Sequence, residues 1–393
     1  MTDTPPRIYF LDGVRTFIII GVVVLHGAVI YMNFDPVAFA VRDSQQSLVF
    51  TLIAMLLEPT QLTGLFFIAA YFALPSIGKR GSMSFLREKT LRIGLPWLAG
   101  VILIIPLLEY MTAQSSLGWW EYCTSYYWAH EYHQGAYWYL GVLMLFFLLL
   151  AMVCAFFPGL SSRPSGITHP TWKMLAAFWL VNSLGMFAVA VCWKDAGHFQ
   201  IFGHLLAFMP DRIQMYAAYF IMGLVAWRHR WFTPGGFSPP MAPWLLLTVV
   251  SMTLYAFCRA LSEDARSVET LVSILHLQRY QHQLQAALQM ATLMKWMNSV
   301  WFNAASLSAL MATCAVFQRF FNAPGPLLRS LSANSFGIYF IHSAILFPFA
   351  YFLTGYTLPL AIKAPGVIGV SLVLSWAVSV FVLKKAPLLR RIF

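Results

Sequence analysis

Long apolar segments alternate with short polar ones along almost the whole chain. Windows of about 20 predominantly apolar residues, the length that crosses a bilayer as a helix, occur ten times. These windows are 10–32, 50–73, 92–110, 136–157, 172–192, 211–228, 243–260, 299–319, 333–353 and 365–384. The pattern predicts an all-α polytopic membrane protein with about ten transmembrane helices. We expect residues 1–393 to form a single integral membrane domain surrounded by the lipid bilayer.

Composition supports this class and argues against soluble ones. Of the 393 residues, 60% are hydrophobic and 10% are charged, and the mean hydropathy is +0.69. Soluble domains carry about 25% charged residues. A formal net charge of +11 would suit a nucleic-acid-binding protein, but the basic residues lie between apolar spans. We therefore predict no nucleic-acid partner.

The distribution of lysine and arginine predicts the orientation of the spans. With a cytoplasmic N-terminus, sixteen of these residues fall in inner segments and eight in outer segments, leaving aside Arg15 within the first span. This excess follows the positive-inside rule. We therefore predict that both termini are cytoplasmic, which requires an even number of spans.

The first span carries three ionisable residues on one face. Asp12, Arg15 and His26 fall within a stripe about 60° wide, and Arg15 and His26 are about 16 Å apart along the helix axis. Ionisable groups inside a membrane are costly and mark functional sites by default. Asp12 and Arg15 are also spaced to pair with each other near the cytoplasmic end, but that pairing leaves His26 unexplained. We predict that these three residues are catalytic.

A basic segment, SFLREKTLRIGLPWL, precedes the third span at residues 84–98. Clustered cations such as Arg87, Lys89 and Arg92 bind phosphate groups. They also anchor a span at the cytoplasmic face, and Glu88 is spaced to pair with Arg92. The spacing leaves both interpretations open.

Two other spans carry polar residues at positions of interest. In the ninth span, Ser335, Tyr339 and His342 lie at i, i+4 and i+7 on one helix face. Buried Tyr and His side chains often only satisfy hydrogen bonds within a bundle, so we predict that these residues line the site. Glu58 lies inside the second span, where a carboxylate near His26 would orient its ring or raise its basicity.

The predicted outer connections carry two further features. Residues 119–143 are rich in aromatic side chains, which is typical of an interfacial belt, and an aromatic surface beside a polar opening also suits sugar rings. His130, Glu131 and His133 lie there, but no further ligands accompany them, so we predict no metal site. Residues 268–297 have apolar residues at helical spacing. This pattern predicts an amphipathic helix on the outer membrane face or over a cavity.

Three classes of function fit these residues. In an enzyme, His26 would take part in catalysis. In a secondary transporter of organic anions or glycan precursors, Arg15 would bind substrate and His26 would relay protons. In a receptor or assembly module, the polar stripes would only pack helices together. Internal repeats and matching broken spans, which mark many transporters, are not visible in the sequence, and this favours the enzyme.

Several motifs resemble the acyltransferase-3 family of bacterial membrane proteins, and within it the glucans biosynthesis protein C type. The first span matches the family's basic residue followed, after ten residues, by a histidine, here Arg15 and His26. The other similar segments, in chain order, are FLREKTLRIGLP, AYWYLGVLMLFF, YFIMGLVAW, SFGIYFIH and APLLRRIF. Lys89 and Ala136 depart from the family pattern, which has an arginine and a histidine there.

The resemblance implies an O-acyltransferase of the bacterial inner membrane. An acyl group would pass from a cytoplasmic coenzyme A thioester to a hydroxyl of a periplasmic or cell-surface glycan, with His26 as general base or acyl acceptor. Acetyl- or succinyl-coenzyme A would be the donor, with its phosphates against Arg87, Lys89 and Arg92, and no cofactor would be bound permanently. In the glucans biosynthesis protein C type, the group is succinyl and the acceptor is an osmoregulated periplasmic glucan. The residues expected to line the substrate site are Glu58, Trp138, Ser335, Tyr339 and His342.

Overall fold

The protein is a bundle of long helices in a computed structural model. The structure describes residues 8–33, 41–113, 115–162, 167–193, 195–203, 205–233, 235–274, 281–323, 325–387 and 389–393, and within 262–274 and 281–288 it describes only the backbone. The helices are α1 Tyr9–Val29, α2 Leu48–Arg80, α3 Ser82–Thr112, α4 Tyr122–Glu131, α5 Trp138–Phe156, α6 Trp172–Cys192, α7 Pro210–Arg228, α8 Met241–Ile274, α9 Gln281–Phe320, α10 Pro326–Thr354 and α11 Leu360–Val378. Two short strands, β1 Gln200–Phe202 and β2 Leu206–Phe208, form an antiparallel pair.

The all-α membrane class is confirmed. Among the described residues, nine helices are long and apolar enough to cross a membrane. The predicted span 211–228 is also a helix, α7, but it is not among those nine and has Asp211 and Arg212 in its first turn. Both of these charged side chains are buried. Helix α7 therefore lies inside the bundle, packed against α2 and α6.

The described residues of 268–297 belong to two helices and not to the one amphipathic helix that the sequence predicts. Helix α8 continues to Ile274 and α9 begins at Gln281, so this segment extends two long helices that pack against each other. Residues 275–280 lie outside the described part of the chain. The segment contains no glycine or proline that would end a helix, and this allows both helices to run on beyond their apolar windows.

The helices differ in how much of their surface lies inside the bundle. In the most apolar window of Gln289–Phe320, which belongs to α9, 78% of the residues are buried, against 22% in α6. A helix that is mostly exposed in the isolated chain presents its apolar surface to lipid. Helix α9 is therefore central and α6 peripheral.

Small residues allow α9 to occupy this central position. Ala305, Ser306 and Ser308 are fully or almost fully buried, and small side chains let helix backbones approach closely in a membrane. Ser306 Oγ donates a hydrogen bond of 2.8 Å to the carbonyl of Pro59 in α2. Because lipid offers no hydrogen bonds, this contact satisfies a polar group where α2 and α9 meet.

The start of α1 and the end of α11 lie at the same end of the bundle. Gly13 in α1 packs against Leu328 at the start of α10. Near the other terminus, Trp376 Nε1 donates to Ser330 Oγ over 3.1 Å, and the Phe393 ring packs on Phe336 with centroids 5.4 Å apart. Both ends of the chain lie together because α7 crosses the bundle in addition to the nine described apolar helices. The total is the even number of crossings that the charge distribution predicts. We call this end of the bundle the basic end, because α3 and its cations lie there.

A buried ion pair fixes the opposite end, which we call the outer end. Lys363 Nζ in α11 lies 2.5 Å from Asp43 Oδ2, and the two side chains are 1% and 0% exposed. Lys363 also donates to the carbonyl of Tyr356, and the Asp43 backbone N–H donates to the carbonyl of Ile30. The pair therefore ties the segment that follows α1 to the start of α11.

We expect Lys363→Met to destabilise the protein by about 3–5 kcal/mol, because it leaves the Asp43 carboxylate buried without its cation. The double variant Asp43→Asn/Lys363→Met should regain much of that loss, since neither charge remains. Thermal unfolding in detergent measures both. Arg42→Met, at an exposed neighbouring cation, is the control and should change stability by less than about 1 kcal/mol. A double variant as unstable as Lys363→Met would contradict the assignment.

Candidate functional site

Two histidines meet between α1 and α10. His26 lies one turn before the end of α1, and His342 lies in the middle of α10. The two helices pack along their lengths. Gly27 lets α1 approach α11 closely, since a Cβ there would lie 2.3 Å from Ile368 Cγ1. A larger residue at this position would have to displace the Ile368 side chain or move the end of α1 that carries His26.

The two imidazole rings are joined edge to edge. His26 Nδ1 lies 2.8 Å from His342 Nε2. The ring centroids are 5.0 Å apart and the planes differ by only 5°. The planes are parallel, and the centroids are too far apart for face-to-face stacking at this short N···N distance. Both rings therefore lie in nearly one plane. This is the geometry of a direct N–H···N hydrogen bond.

A backbone carbonyl determines which nitrogens carry protons. His342 Nδ1 faces the carbonyl oxygen of Tyr339, and a carbonyl only accepts. Nδ1 of His342 must therefore carry a proton, which leaves a lone pair on Nε2 of the neutral ring. His26 Nδ1 then donates to that lone pair, so in neutral His26 the lone pair is on Nε2.

The two rings also differ in accessibility. His342 is 0% exposed, whereas His26 is partly accessible. The pair thus has a buried end, held by the Tyr339 carbonyl, and a more accessible end at His26. A second molecule would therefore reach the pair at His26 and not at His342.

Two tyrosines connect this part of α10 to the segment before α5. Tyr339 Oη donates to the carbonyl of Ala136 over 2.5 Å. In the opposite direction, Tyr137 Oη donates to the carbonyl of Phe340 over 2.8 Å. These two bonds fix α10 directly beside His342. Ser335, on the same face, is buried and bonds to the carbonyl of Ser332 within its own helix.

The predicted cations gather at the basic end, some distance from the histidine pair. Asp12 Oδ1 lies 3.1 Å from Arg15 Nη2, as the three-residue spacing allows. The charge of Arg15 also acts on Lys89, so the start of α1 and the basic segment of α3 belong to one electrostatic environment. Arg15 and His26 remain about 16 Å apart along α1.

Within α3, the three predicted phosphate ligands differ in their surroundings. Glu88 pairs with Arg80 and, at 3.5 Å, with Arg92. Lys89 lies against the rings of Phe85 and Phe147, with Nζ 5.4 and 5.3 Å from their centroids. Arg87 is exposed on another side of the helix. Lys89 is therefore the most enclosed cation of the segment.

Glu58 joins three helices. Its Oε1 accepts from Arg212 Nη1 in α7 at 2.6 Å, and its Oε2 accepts from Tyr255 Oη in α8 at 2.8 Å. Arg212 is buried, and its guanidinium lies 4.6 Å from the centroid of the Phe302 ring. We predicted that Glu58 would orient His26, but Glu58 pairs with Arg212. The hydrogen-bond partner of His26 Nδ1 is His342.

The remaining predicted residues lie towards the outer end. Trp138 is buried and packs edge-on against Phe199 with centroids 5.2 Å apart. His130 stacks on Tyr126, and His133 pairs with Glu109 at 2.8 Å. In the part of the chain that the structure describes, no three His, Cys, Asp or Glu side chains are grouped to hold a metal ion.

Sequence reasoning missed the Asp43–Lys363 pair and Tyr137. Lys363 had a usable signal, because it interrupts an apolar segment and a charge there requires a partner. Tyr137 had none, since its acceptor is a backbone carbonyl 203 residues away.

A helical membrane protein with a partly accessible histidine held by a second, buried histidine has a defined basic nitrogen inside the bundle, and this suits group-transfer chemistry. The family model described as "Acyltransferase domain" matches residues 8–380. The chain therefore belongs to the acyltransferase-3 family and is a membrane acyltransferase. No curated protein and no solved structure matches the chain.

The tautomers can be checked directly. We expect ¹⁵N spectra of histidine-labelled protein to show His26 and His342 protonated at Nδ1 when both rings are neutral. The variants His26→Gln and His342→Gln assign the two signals. His342→Gln should leave His26 protonated at Nδ1, because the amide oxygen also accepts a hydrogen bond. His342→Phe removes the acceptor, so His26 should then populate both tautomers. A wild-type His26 protonated at Nε2 alone would contradict the arrangement.

Proposed function

We propose that the protein transfers an acyl group, succinyl or acetyl, from cytoplasmic acyl-coenzyme A to a hydroxyl of a periplasmic or cell-surface glycan. The setting would be the inner membrane of a bacterium. The observation that carries the proposal is the His26–His342 hydrogen bond, which keeps the proton of neutral His26 on Nδ1 and its basic lone pair on Nε2. If the chain is of the glucans biosynthesis protein C type, the group is succinyl and the acceptor an osmoregulated periplasmic glucan.

The histidine pair suits general base catalysis. His26 Nε2 removes the proton of the acceptor hydroxyl while the hydroxyl oxygen attacks the thioester carbonyl. The C–S bond breaks, and the coenzyme A thiolate takes the proton from His26 and leaves as the thiol. While His26 is charged, its Nδ1–H bond to His342 becomes charge-assisted and stronger.

The same nitrogen could serve as an acyl acceptor. His26 Nε2 would then attack the thioester carbonyl first, form an acyl-imidazolium that keeps its Nδ1 proton, and release the thiolate. The acceptor hydroxyl would next attack that acyl group, losing its proton to the solvent or the thiolate, and restore the neutral ring. Both routes require the lone pair on Nε2 and the proton on Nδ1.

The cations at the basic end suit the donor. Coenzyme A carries several phosphate charges, and Lys89, Arg92 and Arg87 lie on one short stretch of α3 near the start of α1. Arg15 adds a further charge to this environment. Anchoring at the cytoplasmic face does not require cations to lie close together, whereas phosphate binding does. The clustering of these cations therefore supports a phosphate-binding role.

We expect His26→Ala to reduce acyl transfer by about 10²-fold or more, the contribution of a positioned general base. Purified full-length protein in liposomes is offered acetyl- or succinyl-coenzyme A, with and without a glucan, and release of the free thiol is followed. His342→Gln should retain more activity than His342→Ala, because its amide can still accept from His26 Nδ1.

His169→Ala, at an exposed histidine before α6, is the matched control and should match wild type. Folding of each variant is checked by thermal unfolding. Acceptor-stimulated thiol release that persists in folded His26→Ala would overturn the role of His26. Movement of a labelled organic anion into the liposomes, without thiol release from either donor, would instead support a transporter.

We expect Lys89→Gln to raise the KM for acyl-coenzyme A by about tenfold, by removing one charge-assisted contact to phosphate. The KM for an acyl-pantetheine thioester, which lacks those phosphates, should not change. Arg319→Gln, at an exposed cation near the end of α9, is the control and should leave both constants unchanged. Equal effects on the two donors would mean that Lys89 only anchors α3.

A further inference from the structure

A cavity of about 600 Å³ opens beside α4 near the outer end of the bundle. Its lining comes from residues 113–117, apart from 114, and from the cavity-facing side of residues 121–131. This volume lies within the range of small-ligand sites, which are largely aromatic with a few polar groups that fix orientation. None of the catalytic residues proposed above lines it.

One wall of the cavity is a series of aromatic rings. Tyr122, Tyr126 and His130 follow one another at four-residue intervals along α4. The Tyr126 and His130 rings are stacked, with centroids 4.5 Å apart and planes at 21°. Tyr122 and Tyr126 follow with centroids 5.6 Å apart and planes at 30°. Tyr122 is buried and Tyr126 lies between its two neighbours, so the exposed ring of the series is that of His130. This ring can pack on the C–H face of a pyranose.

Carboxylates provide the polar part of the lining. Glu121 is exposed and Glu131 is partly buried. A carboxylate accepts several hydrogen bonds and donates none when ionised, so it complements the hydroxyl groups of a sugar. Tyr122 Oη donates to Glu131. Burial and this carboxylate raise the pKa of Tyr122, so the phenol keeps its proton and holds Glu131 in place.

The charge of the lining separates this cavity from the donor site. Its described lining includes two carboxylates and one imidazole but no lysine or arginine. A polyanion such as coenzyme A would be repelled here, whereas the cations of the basic end would attract it. A neutral polyhydroxylated molecule is compatible with the cavity.

Hydrogen bonds connect the cavity helix to the histidine pair. Tyr127 Oη, on α4, donates to the carbonyl of His133 over 2.5 Å. Three residues later the chain reaches Ala136, whose carbonyl accepts from Tyr339 of α10. His342 is three residues further along the same helix. The cavity is thus anchored to the part of α10 that carries His342, the partner of His26.

We propose that this cavity binds neutral hexose units of the glycan acceptor, with the exposed His130 ring stacking on a sugar ring, Tyr126 supporting His130 from behind, and Glu121 and Glu131 accepting hydrogen bonds from the sugar hydroxyls. The proposal rests on the proposed function, from which it takes the acceptor class, and adds the place where that acceptor is held.

Binding can be measured without catalysis. Isothermal titration of full-length protein in nanodiscs with laminarihexaose, a neutral glucose oligomer, should show binding that Tyr126→Ala weakens by about tenfold. Trp128→Ala is the matched control, because Trp128 is on the same helix but stacks on Tyr132 outside the cavity. It should bind like wild type. An anionic oligogalacturonate should bind poorly to wild type and better to the Glu121→Gln variant.

The outcomes separate this proposal from the proposed function. Wild type that does not bind laminarihexaose, or Tyr126→Ala that binds it as wild type does, would overturn the cavity assignment even where acyl transfer is observed. Conversely, weaker binding by Tyr126→Ala in a protein that releases no thiol from either donor would support a glycan site and reject acetyl- and succinyl-coenzyme A as donors. His26→Ala should bind the oligosaccharide normally, since His26 does not line the cavity.

Discussion

The hydrogen bond between His26 and His342 is the interaction on which the site depends. A fully buried imidazole cannot be hydrated, so each of its nitrogens requires a partner inside the bundle. His342 satisfies this requirement with the Tyr339 carbonyl on one side and His26 on the other. Because a carbonyl only accepts, the direction of both bonds follows from that single contact. A backbone oxygen in α10 thereby determines the basic nitrogen of a residue on α1.

Such a bond keeps its geometry only if both helices are held in place. The Tyr137 and Tyr339 hydrogen bonds fix α10 against the segment before α5. The Asp43–Lys363 pair ties the segment after α1 to α11. Lipid offers these polar groups no hydrogen-bond partners, so the groups must bond to one another inside the folded protein. Their positions therefore determine which faces of the apolar helices meet. Packing of small side chains alone would allow several rotations of α1.

Hydropathy predicted the positions of the nine described helices that can cross a membrane, and also that of α7, because the bilayer imposes a length on every span. It also identified His26 and His342 individually, since an imidazole in an apolar segment is unusual. Their pairing could not be predicted, because it links residues 316 positions apart and depends on the rotation of two helices. Glu58 shows the same limit. Its polarity was evident, but buried Arg212, which has only donors, needs a carboxylate more than His26 does. The extensions of α8 and α9 were predicted as one helix of their own because the span length was taken as the helix length, although the segment contains no glycine or proline.

The separation of charge along the bundle has a consequence for the proposed reaction. The cations around Lys89 and the acidic cavity beside α4 would hold the two substrates at opposite ends, with the histidine pair between them. Between Arg15 and His26, the same face of α1 presents Ile19, Val22 and Val23, which are 5%, 4% and 0% exposed. This stretch is packed, so an acyl-pantetheine arm reaching His26 from the basic end must separate α1 from a neighbour. Opening an apolar contact costs about 25 cal/mol per Å² exposed, but the largely apolar arm would cover the surface that it uncovers. If α1 separates from its neighbour only when the donor arm enters, a thioester can reach the histidines without opening a channel for water and ions.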